Sequence, residues 1–394
     1  MNVFEPLKGI RVLDLTRNVA GPFATMVLAD LGAMVTKLER PDGGDDTRQW
    51  GPPFHEGESA MFLQLNRNKR SMALDLSAPD AKATMTRLVR ESDVIVESFR
   101  PGALDALGYG YTWAASVKPD IIFASATGFG HIGPLKERPG YDPLLQAFAG
   151  LMSITGEESR PPVRVGFSVV DIGTGMWTAL AVMAALRQRD LTGQGANLTT
   201  SLYETAIAWA MLPLSTYWAS GDIPQRYGSG ISTIVPYRAY QAKDGYIIIA
   251  AGNDQLFAKL CATLGFPELA RDARFLSNPD RVSHRSELDS MIAEAVARYQ
   301  TPELIELLNA KGIPCSSVRT LADVAQDEQA AALGIFQRPE SGELAKLPVV
   351  GLPFVVGDVR PRIRAAAPRL GEHNQEIMAE LNSDADTTRQ STRD

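Results

Sequence analysis

The residues with the clearest chemical potential lie at positions 165–175, VGFSVVDIGTG, where an apolar, strand-like segment ends in Asp171 and two glycines lead into an apolar helical pattern. A carboxylate in that place has two uses. It can cap the helix by accepting its free backbone N–H groups, or it can act as a nucleophile kept clear of side chains by Gly173 and Gly175. Capping does not call for two glycines after the acid, whereas close approach of a bulky substrate favours them, and the sequence leaves both uses open. Lys37, Glu39 and Arg40 end the second strand pattern, where nucleotide-binding folds meet an adenosine ribose. Arg40 there is the kind of side chain that accepts a ribose phosphate. The run RNKR at 67–70 either binds a diphosphate or closes a solvated, salt-bridged turn.

Other chemistries find little support. The first strand-to-helix turn, NVAGP at 18–22, carries one glycine, Gly21, where a dinucleotide fold carries a GxGxxG fingerprint. Cys261 and Cys315 are far apart and lack CxxC spacing, which fits a reducing compartment and gives neither a disulfide framework nor a thiolate metal site. His55, His284 and His373 have no metal-ligand spacing, and His131 falls in a GHIG turn and reads as a loop residue. No metal is expected. The formal net charge of −7 disfavours a nucleic-acid partner, so any anionic ligand has to be held by a local basic patch.

The elements that must position these residues alternate. Short β-branched runs at 10–15, 34–38, 72–76, 94–97 and 121–126 read as strands, with a helical pattern at 79–91 between two of them. Pro22 suits the first turn of a helix that runs to Leu31, where Gly32 stops it. Positions 176–189 read as a buried helix and 202–218 as a second one. A stretch dense in Gly, Ser, Pro and Asp at 220–232 precedes a new strand at 246–251, helices at 255–264, 286–299 and 302–310, and a strand at 315–318. The chain is 394 residues long and 45% hydrophobic, enough for two cores. The expected division is a large domain over 1–205, a linker over 206–232, a small domain over 233–325, and a C-terminal segment, 326–394, that returns to the large domain. The fold class is α/β, a Rossmann-like large domain with a parallel sheet plus a smaller α+β domain. A polar tail from Ser383 lacks hydrophobic period and is expected to fray. With no basic-then-apolar leader and no unbroken run of about 18 apolar residues, the chain reads as soluble, unprocessed and cytoplasmic, with no membrane partner.

Several separate stretches resemble the class III CoA transferases, the family of formyl-CoA transferase, carnitine CoA-transferase and the bile-acid-inducible transferases. LKGIRVLDLT (7–16) with AGP (20–22) looks like the family's opening. LGAMVTKLERP (31–41), NRNKRS (66–71), VESFRPGAL (96–104), GFG (128–130) with Gly133 and Pro134, and RPGYD (138–142) are similar to its later motifs in the same order. The likeness covers nearly the whole chain. It implies that Asp171 is the nucleophile, that Asn18, Arg40, Ser98, Phe99 and Arg138 contact CoA, and that Asn18 and Val19 face the thioester. It places Tyr141 and Asp142 in the acyl pocket, Trp50 near its mouth, and Gly252 and Asn253 on a small-domain loop over it. Each has a structural alternative: Phe99 as core, Trp50 as a surface anchor, Asp142 as a partner of Arg138.

The resemblance further implies an interlocked homodimer with no cofactor beyond its CoA thioester substrate. An acyl-CoA and a small carboxylic acid are the expected ligands, with succinyl-CoA the first donor to try. Formyl-CoA transferases carry glutamine at the position of Val19 and a glycine run where 250–254 has Gly252 alone, which argues against an oxalate-specific enzyme. The α-methylacyl-CoA racemases are the nearest rival. They carry a histidine base where this chain has Tyr141, and an unperturbed tyrosine is a poor base at neutral pH. A non-catalytic acyl-CoA binder or an NADP-dependent reductase would use Arg40 without needing Asp171.

Overall fold

The computed structural model describes the backbone of residues 4–391 and the side chains as far as Ser383. The chain divides into two units, one formed by Met1–Ala149, Gly166–Trp209 and Gln329–Asp394, the other by Gly150–Val165 and Ala210–Glu328.

The first unit is built on a six-stranded sheet. In chain order its strands and main helices are β1 (Arg11–Leu15), α1 (Ala20–Asp30), β2 (Met34–Glu39), β3 (Lys69–Ala73), α2 (Ala81–Glu91), β4 (Val94–Glu97) and β5 (Ile122–Thr127). They are followed by α3 (Asp142–Phe148), α4 (Val169–Thr192), β6 (Ala196–Ser201) and α5 (Leu202–Trp209). All five strand pairings are parallel, in the order β3-β2-β1-β4-β5-β6. Successive side chains of a strand face opposite ways, so each strand serves two cores. Val12, Val35, Val94, Val96 and Ile122 pack under α1 and α4 on one face. Leu13, Leu38, Ile95 and Phe123 pack against Met85, Leu88 and Val89 of α2 on the other. This is the doubly wound Rossmann order, and its strand order reverses between β1 and β4, where a crevice opens beyond the strand ends.

Three local readings are corrected here. The third strand is Lys69–Ala73, not 72–76, because Lys69 and Ser71 point into a buried polar cluster that an apolar pattern cannot reveal. Residues 165–168 are not a strand; α4 begins at Val169, so Asp171 lies in its first turn. By length and composition α4 could cross a membrane, but half of its most apolar window is buried against the rest of the protein. It is not buried throughout, since Met176, Trp177 and Leu180 are exposed.

The second unit contains α6 (Met211–Ser220), β7 (Tyr237–Gln241), β8 (Tyr246–Ala250), α7 (Asp254–Leu264), α8 (Arg285–Val296), α9 (Thr301–Ala310) and β9 (Cys315–Ser317). The three strands form an antiparallel sheet, β9-β8-β7, over a core that includes Ile247, Ile249, Phe257, Leu260, Ile292 and Leu304. Two boundaries differ from expectation. Residues 150–165 group with this unit, bridged to it at Gly156 and Gly228. The expected linker 206–232 holds the end of α5 and all of α6, a helix with no buried side chain among the described residues.

The C-terminal segment belongs to the first unit. Asn374, at the start of α10 (Asn374–Ser391), accepts the Ala73 N–H at 2.8 Å, and Arg70 pairs with Glu376 and Glu380. The polar tail is helical to Ser391, and residues 392–394 lie outside the described residues.

Candidate functional site

At the crevice, β1 leads into Arg17 and Asn18 before α1 begins at Ala20. Asn18 adopts φ 68°, in the left-handed region that asparagine tolerates better than most residues. The first turn of α1 has no side-chain cap, which leaves early backbone N–H groups free. Gly21 is required by packing, since a Cβ there would stand 2.4 Å from Cβ of Thr16. At the end of β4, the Glu97 carboxylate accepts the Phe99 N–H at 2.7 Å, and the Ser98 hydroxyl accepts the Arg17 N–H at 2.9 Å. The Arg17 guanidinium lies over the Phe99 ring, 5.3 Å from its centroid. The two strand ends are thereby tied together.

Asp171 reaches this crevice because α4 packs tightly along α1. A Cβ on Gly175 would lie 2.5 Å from the Ala20 carbonyl oxygen, and one on Gly173 would lie 2.6 Å from the Trp209 ring. The two glycines are therefore explained by helix packing, not by clearance for a substrate. The cap of α4 is also settled: buried Asp142, at the start of α3, accepts the N–H groups of Val170 at 2.7 Å and Asp171 at 3.3 Å. Gln146 donates to the other oxygen of Asp142. Asp171 is thus relieved of capping, and among the described residues no donor bonds its carboxylate. Burial first, and the negative charge of Asp142 second, push its pKa up to about 7.

A cavity of about 320 Å³ opens over this carboxylate. Of the residues expected from sequence, it brings together Asn18, Val19, Trp50, Ser98, Phe99, Arg138, Tyr141 and Asp171. The loop carrying Arg138 is held close by a backbone contact between Gly128 and Gly140, where a Cβ on either would collide with the other. Arg138 lies between two rings, its guanidinium 5.9 Å from the centroid of Phe129 and 5.8 Å from that of Phe148. Arg40 lines a neighbouring cavity of about 200 Å³, which shares Arg17 and Phe99 with the first, and it pairs with Asp46 at 2.7 Å.

Other expected residues have structural roles of their own. Asp142 lies behind the site as the α4 cap; it neither lines the cavity nor pairs with Arg138. Gly252 and Asn253 belong to the second unit, where Asn253 caps α7 by accepting the Leu256 N–H, and a Cβ on Gly252 would meet Ile234 at 2.3 Å. The basic run at 67–70 is structural. Arg67 is buried against Asp30 at 2.7 Å, Lys69 is buried against Asp14 at 3.0 Å, and Arg70 meets the α10 carboxylates. Lys37 and Glu39 are likewise buried, in pairs with Asp45 and Arg48. Arg17 and Arg100, which the sequence reading passed over, line the cavity. Their signal was adjacency, since Arg17 precedes Asn18 and Arg100 follows Phe99. Among the described residues there is no cluster of three acidic, histidine or cysteine side chains placed to hold a metal.

Comparison with known proteins identifies the family. The model for CoA-transferase family III matches residues 7–374. The chain is 39% identical to the mouse (Mus musculus) succinyl-CoA:glutarate CoA-transferase over 96% of its own length and 86% of that protein. It is 36% identical to a succinate–glutarate CoA-transferase of Agrobacterium fabrum over 96% of both chains. The crystal structure of a CAIB/BAIF family protein from Brucella suis superposes with a TM-score of 0.86 at 38% identity, covering 97% of this chain and all of that one. With a family match spanning nearly the whole chain and relatives this similar across their length, the chain belongs to CoA-transferase family III.

Proposed function

We propose that the protein moves CoA from an acyl-CoA donor to a carboxylic acid through covalent intermediates on Asp171. The observation that carries this reading is a carboxylate at the floor of the crevice, without a hydrogen-bond donor among the described residues, whose helix is capped by a different acid, Asp142. The Asp171 carboxylate attacks the acyl-CoA carbonyl, forming a mixed anhydride and expelling CoA thiolate. The thiolate then attacks the aspartyl carbonyl, releasing the first acid as its carboxylate and leaving an aspartyl-CoA thioester. An incoming carboxylate attacks that thioester and the two steps run in reverse, so thioester is exchanged for thioester with no net proton transfer. The donor bond's energy is retained, and neither metal nor ATP is called for. Uncapped N–H groups in the first turn of α1, which lines the cavity, are placed to stabilise the oxyanions.

In this reading Ser98, Phe99, Arg40 and Arg138 hold CoA, Asn18 and Val19 face the thioester, and Trp50 and Tyr141 border the acyl group. The relatives' names favour succinyl-CoA as donor and glutarate as acceptor. Arg17, Arg100 and Arg138 offer positive charge for phosphates or for a second carboxylate. The enzyme works as a cytoplasmic homodimer in this proposal, which is supported by the exposed apolar side chains Met176, Trp177 and Leu180 of α4 and Met211, Leu212 and Trp218 of α6. Sedimentation as a monomer at micromolar concentration would remove the dimer.

The deciding experiment is intact-protein mass spectrometry after incubation with a panel of acyl-CoAs and hydroxylamine. An aspartyl hydroxamate at Asp171, present with succinyl-CoA and absent from Asp171→Ala, is expected. CoA transfer by the wild type without any such adduct under any donor would sink the covalent reading.

A further inference from the structure

We propose that the buried pair Lys37 and Asp45 is a positioning pair for CoA transfer, clamping the turn at 16–18 from beneath and so fixing where Asn18 and the first turn of α1 stand relative to Asp171. This rests on the reading of Asp171 given above. Neither residue lines the 320 Å³ cavity, although Asp45 borders the neighbouring 200 Å³ one, and both side chains are wholly buried.

Each partner spends a bond on the backbone of the turn. Nζ of Lys37 donates to the Thr16 carbonyl at 2.8 Å and pairs with Oδ2 of Asp45 at 2.9 Å. Oδ1 of Asp45 accepts the Asn18 N–H at 3.2 Å, together with the N–H and hydroxyl of Thr47. The Asp45 N–H donates in turn to Glu39, which Arg48 holds by two further bonds. Asn18 is left-handed, a conformation that asparagine tolerates better than most non-glycine residues but still at some cost, which the bonds on either side of it offset. Lys37 grips the residue two before it, and Asp45 grips Asn18 itself. Displacement would spread, because the Thr16 side chain fills the space beside Gly21 and so abuts α1 where that helix lines the cavity. A buried ion pair with only a structural role is replaceable by apolar groups, whereas one that sets the geometry of a reacting site is not. A misplacement of about 1 Å in such a site costs on the order of 100-fold in rate.

The test uses the purified full-length enzyme with succinyl-CoA and glutarate, and reads kcat, CoA affinity by calorimetry and thermal stability. Asp45→Ala should lower kcat by roughly 30-fold while CoA affinity stays within about threefold. Asp45→Asn keeps an acceptor for the Asn18 N–H and should recover kcat to within about fivefold of wild type. The double variant Lys37→Met with Asp45→Asn removes both buried charges, so its stability should approach that of the wild type while kcat stays about tenfold low, because the Thr16 carbonyl has lost its donor. The proposal is overturned if Asp45→Ala keeps its kcat, if kcat and CoA affinity fall together, if Asp45→Asn is as poor as Asp45→Ala, or if the double variant regains kcat along with stability. The wild-type hydroxamate assay run alongside separates the two ideas. A missing adduct fails the reading of Asp171, whereas the kcat pattern of the variants judges the pair.

Discussion

Replacing Asp171 with asparagine should make the protein more stable at neutral pH while abolishing transfer. The pKa of Asp171 rises from 3.8 to about 7 on folding, through burial first and the nearby Asp142 charge second. Because the folded pKa lies above the unfolded one, the folded protein holds this proton more tightly. Below both values the group is neutral in either state and costs nothing. Between them the unfolded chain ionises while the folded chain does not, so stability falls as pH rises, and above about 7 the full penalty is present. A shift of about three units corresponds to about 4 kcal/mol at about 1.36 kcal/mol per unit. Asp171 is partly exposed to solvent, which brings a realistic gain for asparagine to roughly 1–2 kcal/mol, or a rise in melting temperature of roughly 1–3 °C in a chain of 394 residues. Thermal unfolding of wild type and Asp171→Asn at pH 8 and pH 4.5 measures it, and the gain at pH 4.5 should be about half to two thirds of that at pH 8. A gain that is absent at pH 8, or the same at both pH values, refutes the claim that Asp171 is ionised at a cost.

Four further outcomes follow from the same structure. Asp142→Asn keeps an acceptor at the start of α4 but removes the charge, so the acidic limb of the kcat–pH profile, set by ionisation of Asp171, should move to lower pH. Asp142→Ala should in addition destabilise the protein by about 1–2 kcal/mol, read by chemical denaturation, through loss of the cap. Gly175→Ala drives a Cβ towards the Ala20 carbonyl and should cost about 1–3 kcal/mol while lowering kcat, because α4 can move away only by carrying Asp171 with it; an unchanged melting temperature would contradict the packing argument. Arg67→Met strands the buried Asp30 carboxylate and should cost about 3–5 kcal/mol, with CoA affinity in the surviving folded protein unchanged. A selective loss of CoA binding at full stability would return that basic run to the ligand.

The parts of this molecule legible in sequence were those whose burial leaves an apolar trace. The alternation at 10–15, 34–38 and 94–97 located β1, β2 and β4, and the Pro22 to Gly32 punctuation located α1. Strand β6 was missed because ANLTTS, at the edge of the sheet, is largely polar. The third strand was misplaced because its buried positions are held by Lys69 and Ser71, and a charge that finds its partner inside the fold looks like surface in a sequence. The position of Asp171 was readable, but its freedom from capping was not. That depends on Asp142, brought alongside by the fold from 29 residues away. The same limit applied to Gly173 and Gly175, whose neighbours, Trp209 and Ala20, are set by tertiary packing.

On the proposed mechanism these features bear on one energetic problem, which is that a mixed anhydride lies uphill from a thioester. The surroundings of Asp171 disfavour its charge, since it is withdrawn from water, has no donor of its own and stands beside a second carboxylate that the fold needs for the α4 cap. Attack on an acyl-CoA neutralises that charge and passes it to the departing thiolate. The cost held in the free enzyme is therefore relieved as the anhydride forms and stays relieved in the aspartyl thioester, until the free carboxylate is regenerated at the end. A carboxylate with an ordinary pKa in the same place would have the same reach and a weaker drive to react. The neighbouring acid thus serves the fold and the chemistry at once: its hydrogen bonds hold the helix that carries Asp171, and its charge keeps Asp171 from being comfortable as an anion.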